Sequence, residues 1–179
     1  MEFQLPEYNI SLMLPELFLF VWALVVFTFD LVTKRSKESA VGYLALIGIL
    51  ITVAIWAFTG YGRGFGSMFY NDPMAVFFKF IFLGAAFMAI GSSFGLTRQK
   101  IVNHRGEFYG LILLSTVGMM FLASSNELLS LYIGLELTTI PLFVLAAFFK
   151  DDKLSVEAGM TYFVIGAFSS ALLLYGISF

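Results

Sequence analysis

The sequence predicts an all-α fold, a polytopic membrane helical bundle of about six transmembrane helices, from three observations. Apolar residues make up 60% of the chain and charged residues 12%, with a mean hydropathy of +0.92. A soluble domain normally has about 25% charged residues. Six apolar stretches are long enough to cross the roughly 30 Å hydrocarbon core as helices. None of them alternates with a period of two, and open strands would leave backbone groups unpaired in lipid.

The predicted helices follow one another with short connections, so residues 1–179 form a single transmembrane domain. Their approximate bounds are 14–32, 41–58, 74–94, 108–123, 128–149 and 156–178. Residues 1–9 include two glutamates and no basic residue, unlike a signal peptide, so the first helix should stay in the mature protein. The glycine-rich segment 60–66 fits no phosphate-binding motif and is predicted to be a flexible turn. Because no polar flank follows the sixth helix, we expect a truncated polypeptide.

The loop charges predict the orientation of the bundle. Eight of the nine loop cations fall in the three loops after helices 1, 3 and 5, and only Arg63 lies on the other side. The eight are Lys34, Arg35, Lys37, Arg98, Lys100, Arg105, Lys150 and Lys153. Since basic loops stay in the cytoplasm, the amino terminus is predicted to lie outside.

A carboxylate, Glu136, lies near the centre of the fifth predicted helix. An acidic side chain at that depth costs about 2.5 to 3.5 kcal/mol, and intramembrane ionisable groups usually belong to proton or ion pathways. Such a group can load and release protons, which makes Glu136 the candidate proton carrier. Pro141 should bend the helix just beyond the acid. Tyr132 and Thr139 share its helix face and offer hydroxyls for a short relay.

Lys79 is the cation inside a predicted helix, about 9 Å beyond Pro73. Its ammonium can snorkel to the outer interface, or it can face the bundle and bias a neighbouring carboxylate. The second alternative makes Lys79 a candidate residue of the proton pathway.

The remaining charges have simpler interpretations. Asp30 with Lys34, and Lys153 with Glu157, have the spacing of interfacial ion pairs. His104 is the only histidine and has no second ligand nearby, so no metal site is expected there. The absence of cysteine excludes disulfides and thiolate-held zinc or Fe-S clusters on this chain. A formal net charge of -2 gives no basic excess for nucleic acid.

Long segments of the sequence also resemble a known family. The run from Tyr132 to Phe148, with Leu-Glu-Leu-Thr-Thr-Ile-Pro at its centre, and the run from Ser155 to Gly176 are similar to subunit N of bacterial NADH:quinone oxidoreductase, respiratory complex I. Leu14-Pro-Glu-Leu and Asp72-Pro-Met-Ala-Val-Phe-Phe-Lys extend the likeness over nearly the whole chain.

The resemblance implies the amino-terminal portion of an antiporter-like subunit of about fourteen helices with inverted repeats. Such a subunit takes part in proton translocation, coupled to electron transfer from NADH to quinone. The resemblance implies no cofactor on this chain, with NADH, FMN, Fe-S clusters and quinone bound by partner subunits. The implied partners are other membrane-arm subunits of complex I, protons and the lipid bilayer, and the implied location is the bacterial cytoplasmic membrane.

The resemblance also assigns two residues. Glu136 matches the family's helix 5 glutamate, whose lysine partner would lie beyond Phe179. Thr161 stands where relatives commonly have lysine. A threonine can hold water but cannot carry charge, so a relay toward Glu136 would need water or another lysine here.

Two alternatives remain open at this point. A monovalent cation/proton antiporter subunit would carry the same helix 5 glutamate. A structural membrane subunit without transport of its own would keep Glu136 protonated and use it only to bond a neighbouring helix.

Overall fold

The fold is a bundle of six long α-helices, seen in a computed structural model that describes residues 9–32, 40–65, 68–97 and 104–179. The helices are α1 Leu14–Val32, α2 Ala40–Trp56, α3 Pro73–Thr97, α4 Arg105–Ser124, α5 Leu128–Ala146 and α6 Lys153–Ile177. A short 3-10 helix, Ile10–Met13, leads into α1. The predicted all-helical membrane fold is confirmed.

In the described ranges, five helices are long and apolar enough to cross a membrane, and α2 is shorter. The 17 residues of α2 are apolar. At about 1.5 Å per residue they rise about 26 Å, a few Å less than a typical hydrocarbon core. The chain is an integral membrane protein with five helices of full spanning length and a shorter sixth.

The helix α4 lies at the centre of the bundle and contacts α1, α2, α3 and α5, whereas α6 packs mainly on α5. The core between these helices consists of fully buried apolar side chains, among them Leu19, Ala23, Val26, Ala45, Ile90, Leu113 and Val117. Lipid is as apolar as these side chains, so close packing rather than hydrophobic burial must hold the helices together.

The connection between α2 and α3 forms a small β-hairpin, so the prediction of a mere flexible turn there is wrong. Strand β1 is Gly62–Gly64 and pairs antiparallel with β2, Phe69–Asn71. Phe65, with φ 51, lies in the left-handed region and turns the chain after β1. The strands lie between two apolar helices, where their backbone groups can pair with each other. Phe69 also bridges Ser125, which attaches the hairpin to the α4–α5 connection.

Polar residues mark the starts of two helices. Pro73 is the first residue of α3, and Asp72 accepts a 2.6 Å hydrogen bond from the Ala75 amide, as expected of an N-terminal cap. Asp152 caps α6 in the same way and accepts a 3.0 Å bond from the Leu154 amide.

We call the end of the bundle that carries β1 and β2 the hairpin end, and the opposite end, where α4 and α6 begin, the basic end. At the basic end Asp30 accepts a 2.9 Å hydrogen bond from the Gly106 amide, which joins α1 to α4. Arg105, predicted to be a loop cation, is the first residue of α4 and is buried. The predicted partner of Asp30, Lys34, lies outside the described residues, as do Arg35, Lys37, Arg98 and Lys100.

Candidate functional site: two intramembrane glutamates

Glu136 lies in the middle of α5, as the ninth of its 19 residues. Its side chain is half-buried between α5 and α6. The hydroxyl of Ser170 on α6 donates a hydrogen bond to Glu136 Oε1. The described residues provide no cation within ion-pair distance of this carboxylate. Among the described residues, the polar partner of the Glu136 carboxylate is therefore the neutral hydroxyl of Ser170.

The hydroxyl relay predicted along α5 is not formed in the described structure. Thr139 Oγ1 donates to the backbone carbonyls of Leu135 and Glu136, at 3.0 and 3.4 Å, and not to the carboxylate. Tyr132 is half-buried on the same helix and makes no described hydrogen bond to Glu136. The sequence missed Ser170, because its role depends on how α6 packs against α5.

The helix α5 continues through Pro141, and α4 packs closely beside that stretch. Ser115 Oγ on α4 donates a 3.1 Å hydrogen bond to the carbonyl of Thr138. Gly118 on α4 lies against the backbone at Thr138, where a side chain would have no room. The segment of α5 that follows Glu136 is thus held against the central helix by both a hydrogen bond and a close backbone contact.

Thr161 is not brought together with Glu136. Its side chain is exposed on α6, nine residues before Ser170, which corresponds to about 14 Å along the helix. A direct step from Thr161 to the carboxylate is therefore too long for a hydrogen bond.

Lys79 faces the interior of the bundle instead of snorkelling and is 2% exposed. Its Nζ lies 2.6 Å from Glu16 Oε1 on α1 and donates a 2.9 Å hydrogen bond to Asn71 Oδ1 in β2. It also lies 5.0 Å from the centre of the Phe69 ring, within the range of a cation–π contact. The carboxylate beside Lys79 is therefore Glu16 and not Glu136.

Glu16 is the functional candidate that sequence reasoning missed. It is fully buried in the first turn of α1. Because the helix dipole favours an acidic residue at that position, the sequence gives no indication that Glu16 is paired with a cation on α3. The structure thus holds two intramembrane glutamates, one bonded to a hydroxyl and one paired with an ammonium.

The other charged candidates lie at the basic end. His104 Nδ1 lies 3.1 Å from Glu107 Oε1, and both side chains are exposed. Lys153 and Glu157 are exposed and form no ion pair in the part of the chain that the structure describes. Within the described ranges no three histidine or acidic side chains come together as a metal site.

Comparison with known proteins supports the resemblance. Residues 125–179, which contain Glu136 and Ser170, match the family described as NADH:quinone oxidoreductase/Mrp antiporter, TM. NADH-quinone oxidoreductase subunit N of Trichlorobacter lovleyi is 39% identical over 173 residues, or 95% of this chain and 35% of the relative.

Two further relatives carry the same name. Subunit N of Desulfitobacterium hafniense is 38% identical over 176 residues, 96% of this chain and 35% of the relative. Subunit N of Parvibaculum lavamentivorans is 40% identical over 167 residues, 92% of this chain and 34% of the relative. The chain spans about a third of the length of the curated relatives it matches. Along nearly all of its own length the chain is therefore similar to NADH-quinone oxidoreductase subunit N, and its residues 125–179 match the NADH:quinone oxidoreductase/Mrp antiporter family.

Proposed function

We propose that this chain is part of a membrane-arm subunit of a proton-pumping NADH:quinone oxidoreductase, in which Glu136 carries protons. The observation that carries the proposal is the setting of this side chain. It lies in the middle of a membrane helix, half-buried and bonded to a hydroxyl, inside the segment that matches the transporter family. Acidic groups held at such depth are costly, and they usually belong to ion pathways.

The mechanism is electrostatic. A cation that approaches Glu136 stabilises the ionised carboxylate, and when that cation moves away the low dielectric favours uptake of a proton. Ser170 suits both states, because a hydroxyl can donate to a carboxylate and accept from a protonated carboxyl group. The direction of transport comes from coupling the cation's movement to electron transfer elsewhere.

In this proposal the redox chemistry belongs to partner subunits, which bind NADH, FMN, Fe-S clusters and quinone. This chain has no cysteine to hold a cluster and contributes only to translocation. Its partners are the other membrane-arm subunits, protons and the lipid bilayer. We also propose that Thr161 holds water on the route from the basic end toward Glu136.

The proposed location is the bacterial cytoplasmic membrane, with the amino terminus and the hairpin end outside. The support comes from the sequence: eight cations lie in or next to the segments that follow the first, third and fifth helices, against one, Arg63, in the segment that follows the second.

The test is the substitution Glu136→Gln in the complete complex, with Glu127→Gln as the matched control. Glu127 is exposed at the start of the same helix, so its charge should not matter for translocation. We expect Glu136→Gln to lower the number of protons moved per NADH oxidised while the complex still assembles, and Glu127→Gln to behave as the wild type. An unchanged proton ratio in Glu136→Gln would remove the proposed role.

A second candidate function is monovalent cation/proton antiport, because the description of the matched family also names Mrp antiporters. The discriminating measurement is transport in proteoliposomes with and without a sodium gradient. Transport that follows sodium would favour the antiporter, and transport that follows only protons would favour the oxidoreductase. A Glu136→Gln variant that lowers the amount of assembled complex, while the complex that does assemble keeps the wild-type proton ratio, would instead indicate a structural subunit.

A further inference from the structure

We propose that Ser115 on α4 is a positioning residue for Glu136, because its hydrogen bond to the backbone of α5 sets the rotation of that helix and so directs the carboxylate toward Ser170. The proposal rests on the proposed function, since it concerns how the same carboxylate is held. Its support is the place of α5 between two helices, the weakened backbone beyond Glu136 and the direction of the Ser115 hydrogen bond.

Glu136 and the backbone that Ser115 contacts lie on nearly opposite sides of α5. Successive residues of an α-helix are about 100° apart, so Glu136 and Thr138 are about 200° apart around the helix. The Glu136 carboxylate accepts from Ser170 on α6. Gly134 and Thr138, one turn apart, instead lie against α4. Because α5 lies between α4 and α6, a rotation that moves Thr138 along the surface of α4 also moves Glu136 relative to Ser170.

The backbone of α5 is weakened just beyond Glu136, so this turn needs support from outside the helix. Pro141 has no N–H, and the carbonyl of Leu137 therefore lacks the donor that a helix normally provides four residues later. Thr138 Oγ1 donates to the Gly134 carbonyl at 2.8 Å, and bonds of this kind within a helix often bend it. A segment with both features can bend more easily than the rest of the helix.

Ser115 supplies a directional contact to that turn. It is the eleventh of the 20 residues of α4, near the middle of the helix, and is 2% exposed. Its Oγ donates a 3.1 Å hydrogen bond to the Thr138 carbonyl. Gly118, three residues later, lies against the backbone at Leu137 and Thr138, and this close packing sets the distance between the helices. A hydrogen bond also weakens when its angle changes, so the Ser115 hydroxyl restrains the rotation of α5.

Loss of the Ser115 hydroxyl should therefore disturb Glu136 while leaving both the carboxylate and Ser170 in the chain. Without the bond α5 can rotate from its position against α4, and Glu136 then spends less time beside Ser170. The net contribution of a typical hydrogen bond corresponds to a factor of roughly two to ten in an equilibrium constant. We expect the rate of proton translocation to fall by about that factor in Ser115→Ala, because fewer molecules hold the carboxylate in place.

The test compares Ser115→Ala with Thr116→Val in the complete complex. Thr116 is as buried as Ser115, but its hydroxyl donates to the Ile112 carbonyl of its own helix at 2.8 Å, so its loss should not reach α5. The infrared bands of the Glu136 carboxyl group are identified as those missing from Glu136→Gln. We expect Ser115→Ala to shift these bands and to slow proton uptake during NADH oxidation, and Thr116→Val to keep both as in the wild type.

A merely structural role for Ser115 would lower stability but leave the carboxyl bands unmoved. Glu136 bands at the wild-type position in Ser115→Ala would overturn the proposal, as would an equal shift in Thr116→Val. If Ser115→Ala does not assemble, Ser115→Cys has nearly the same volume and a weaker donor, and the same shift is required of it. The proposed function fails separately, when Glu136→Gln leaves the proton ratio unchanged, and the band shift still decides the role of Ser115 in that case.

Discussion

Two glutamates in the same bundle receive different partners, and the partner determines what each can do. Glu16 is held next to an ammonium, whose charge can stabilise it without any movement of the protein. Glu136 is bonded to the uncharged hydroxyl of Ser170, and no cation of the described residues lies within ion-pair distance of it. The second arrangement is the one that suits a carrier driven by events elsewhere.

Ser170→Ala should slow proton translocation without preventing assembly. The substitution removes the hydrogen bond that orients the Glu136 carboxylate and leaves the volume of α6 nearly unchanged. A hydrogen bond to a charged group contributes about 1.5 to 3 kcal/mol, which corresponds to a fall in rate of roughly tenfold or more. The measurement is the rate of proton uptake into vesicles during NADH oxidation.

The matched control for that experiment is Ser169→Ala on the same helix. Ser169 is exposed and donates to the Ile165 carbonyl within α6 at 2.9 Å, so it has no part in holding Glu136. Equal rates in the two variants would mean that the Ser170 hydroxyl does not support the carboxylate.

At the scale of the elements, α4 and α5 form the closest helix pair, and glycines make the contact possible. Gly118 on α4 lies against the α5 backbone at Thr138, and Gly134 on α5 lies against the α4 backbone at Leu122. Small residues at such crossings let the two backbones approach closely. Van der Waals contacts can then hold the helices together in lipid, where the hydrophobic effect does not drive their association. This pair fixes the height and rotation of Glu136.

Gly118→Ala should therefore destabilise the protein, whereas Gly84→Ala should not. The added methyl group at Gly118 would meet backbone atoms that cannot move aside, and overpacking of this kind costs about 1 to 3 kcal/mol. At Gly84, in α3, nothing lies within 4 Å of an added methyl, so the variant should be as stable or slightly more stable. Thermal denaturation of the detergent-solubilised protein measures the difference. A Gly118→Ala variant with wild-type stability would show that the two backbones are not in contact.

The elements also show how far the sequence could predict this structure. Apolar length located the long helices, because a membrane span needs about 20 residues whatever its neighbours. It could not locate β1 and β2, since each strand has only three residues. Nor could it show that the hairpin is attached to the α4–α5 connection, because Phe69 and Ser125 are distant in the chain. The same limit applies to side chains. Glu136 was identified from its depth alone, but Glu16 and Ser170 acquire meaning only from the helix that packs beside them.

For the whole molecule, the bundle has two chemically different ends. The hairpin end carries two short strands, and beneath it lies the buried pair of Glu16 and Lys79. The basic end carries the starts of α4 and α6, with Lys150 and His104 exposed near them. If the hairpin end faces outside, the Glu16–Lys79 ion pair lies near the outer surface and Glu136 lies at mid-membrane, so the two glutamates are at different depths of the bundle.

That orientation can be tested directly, because residues 1–179 contain no cysteine and a thiol introduced among them adds labelling that the parent protein lacks. Gly60→Cys adds a thiol at the hairpin end, where nothing lies within 4 Å of the new side chain, and Asp151→Cys adds one at an exposed position of the basic end. In intact cells we expect a membrane-impermeant maleimide to label Gly60→Cys and to label Asp151→Cys only after the membrane is opened. The parent protein without an introduced cysteine gives the background labelling in both conditions. Labelling of Asp151→Cys in intact cells, with Gly60→Cys protected, would reverse the proposed orientation and put the hairpin end, with the buried pair of Glu16 and Lys79, on the cytoplasmic side.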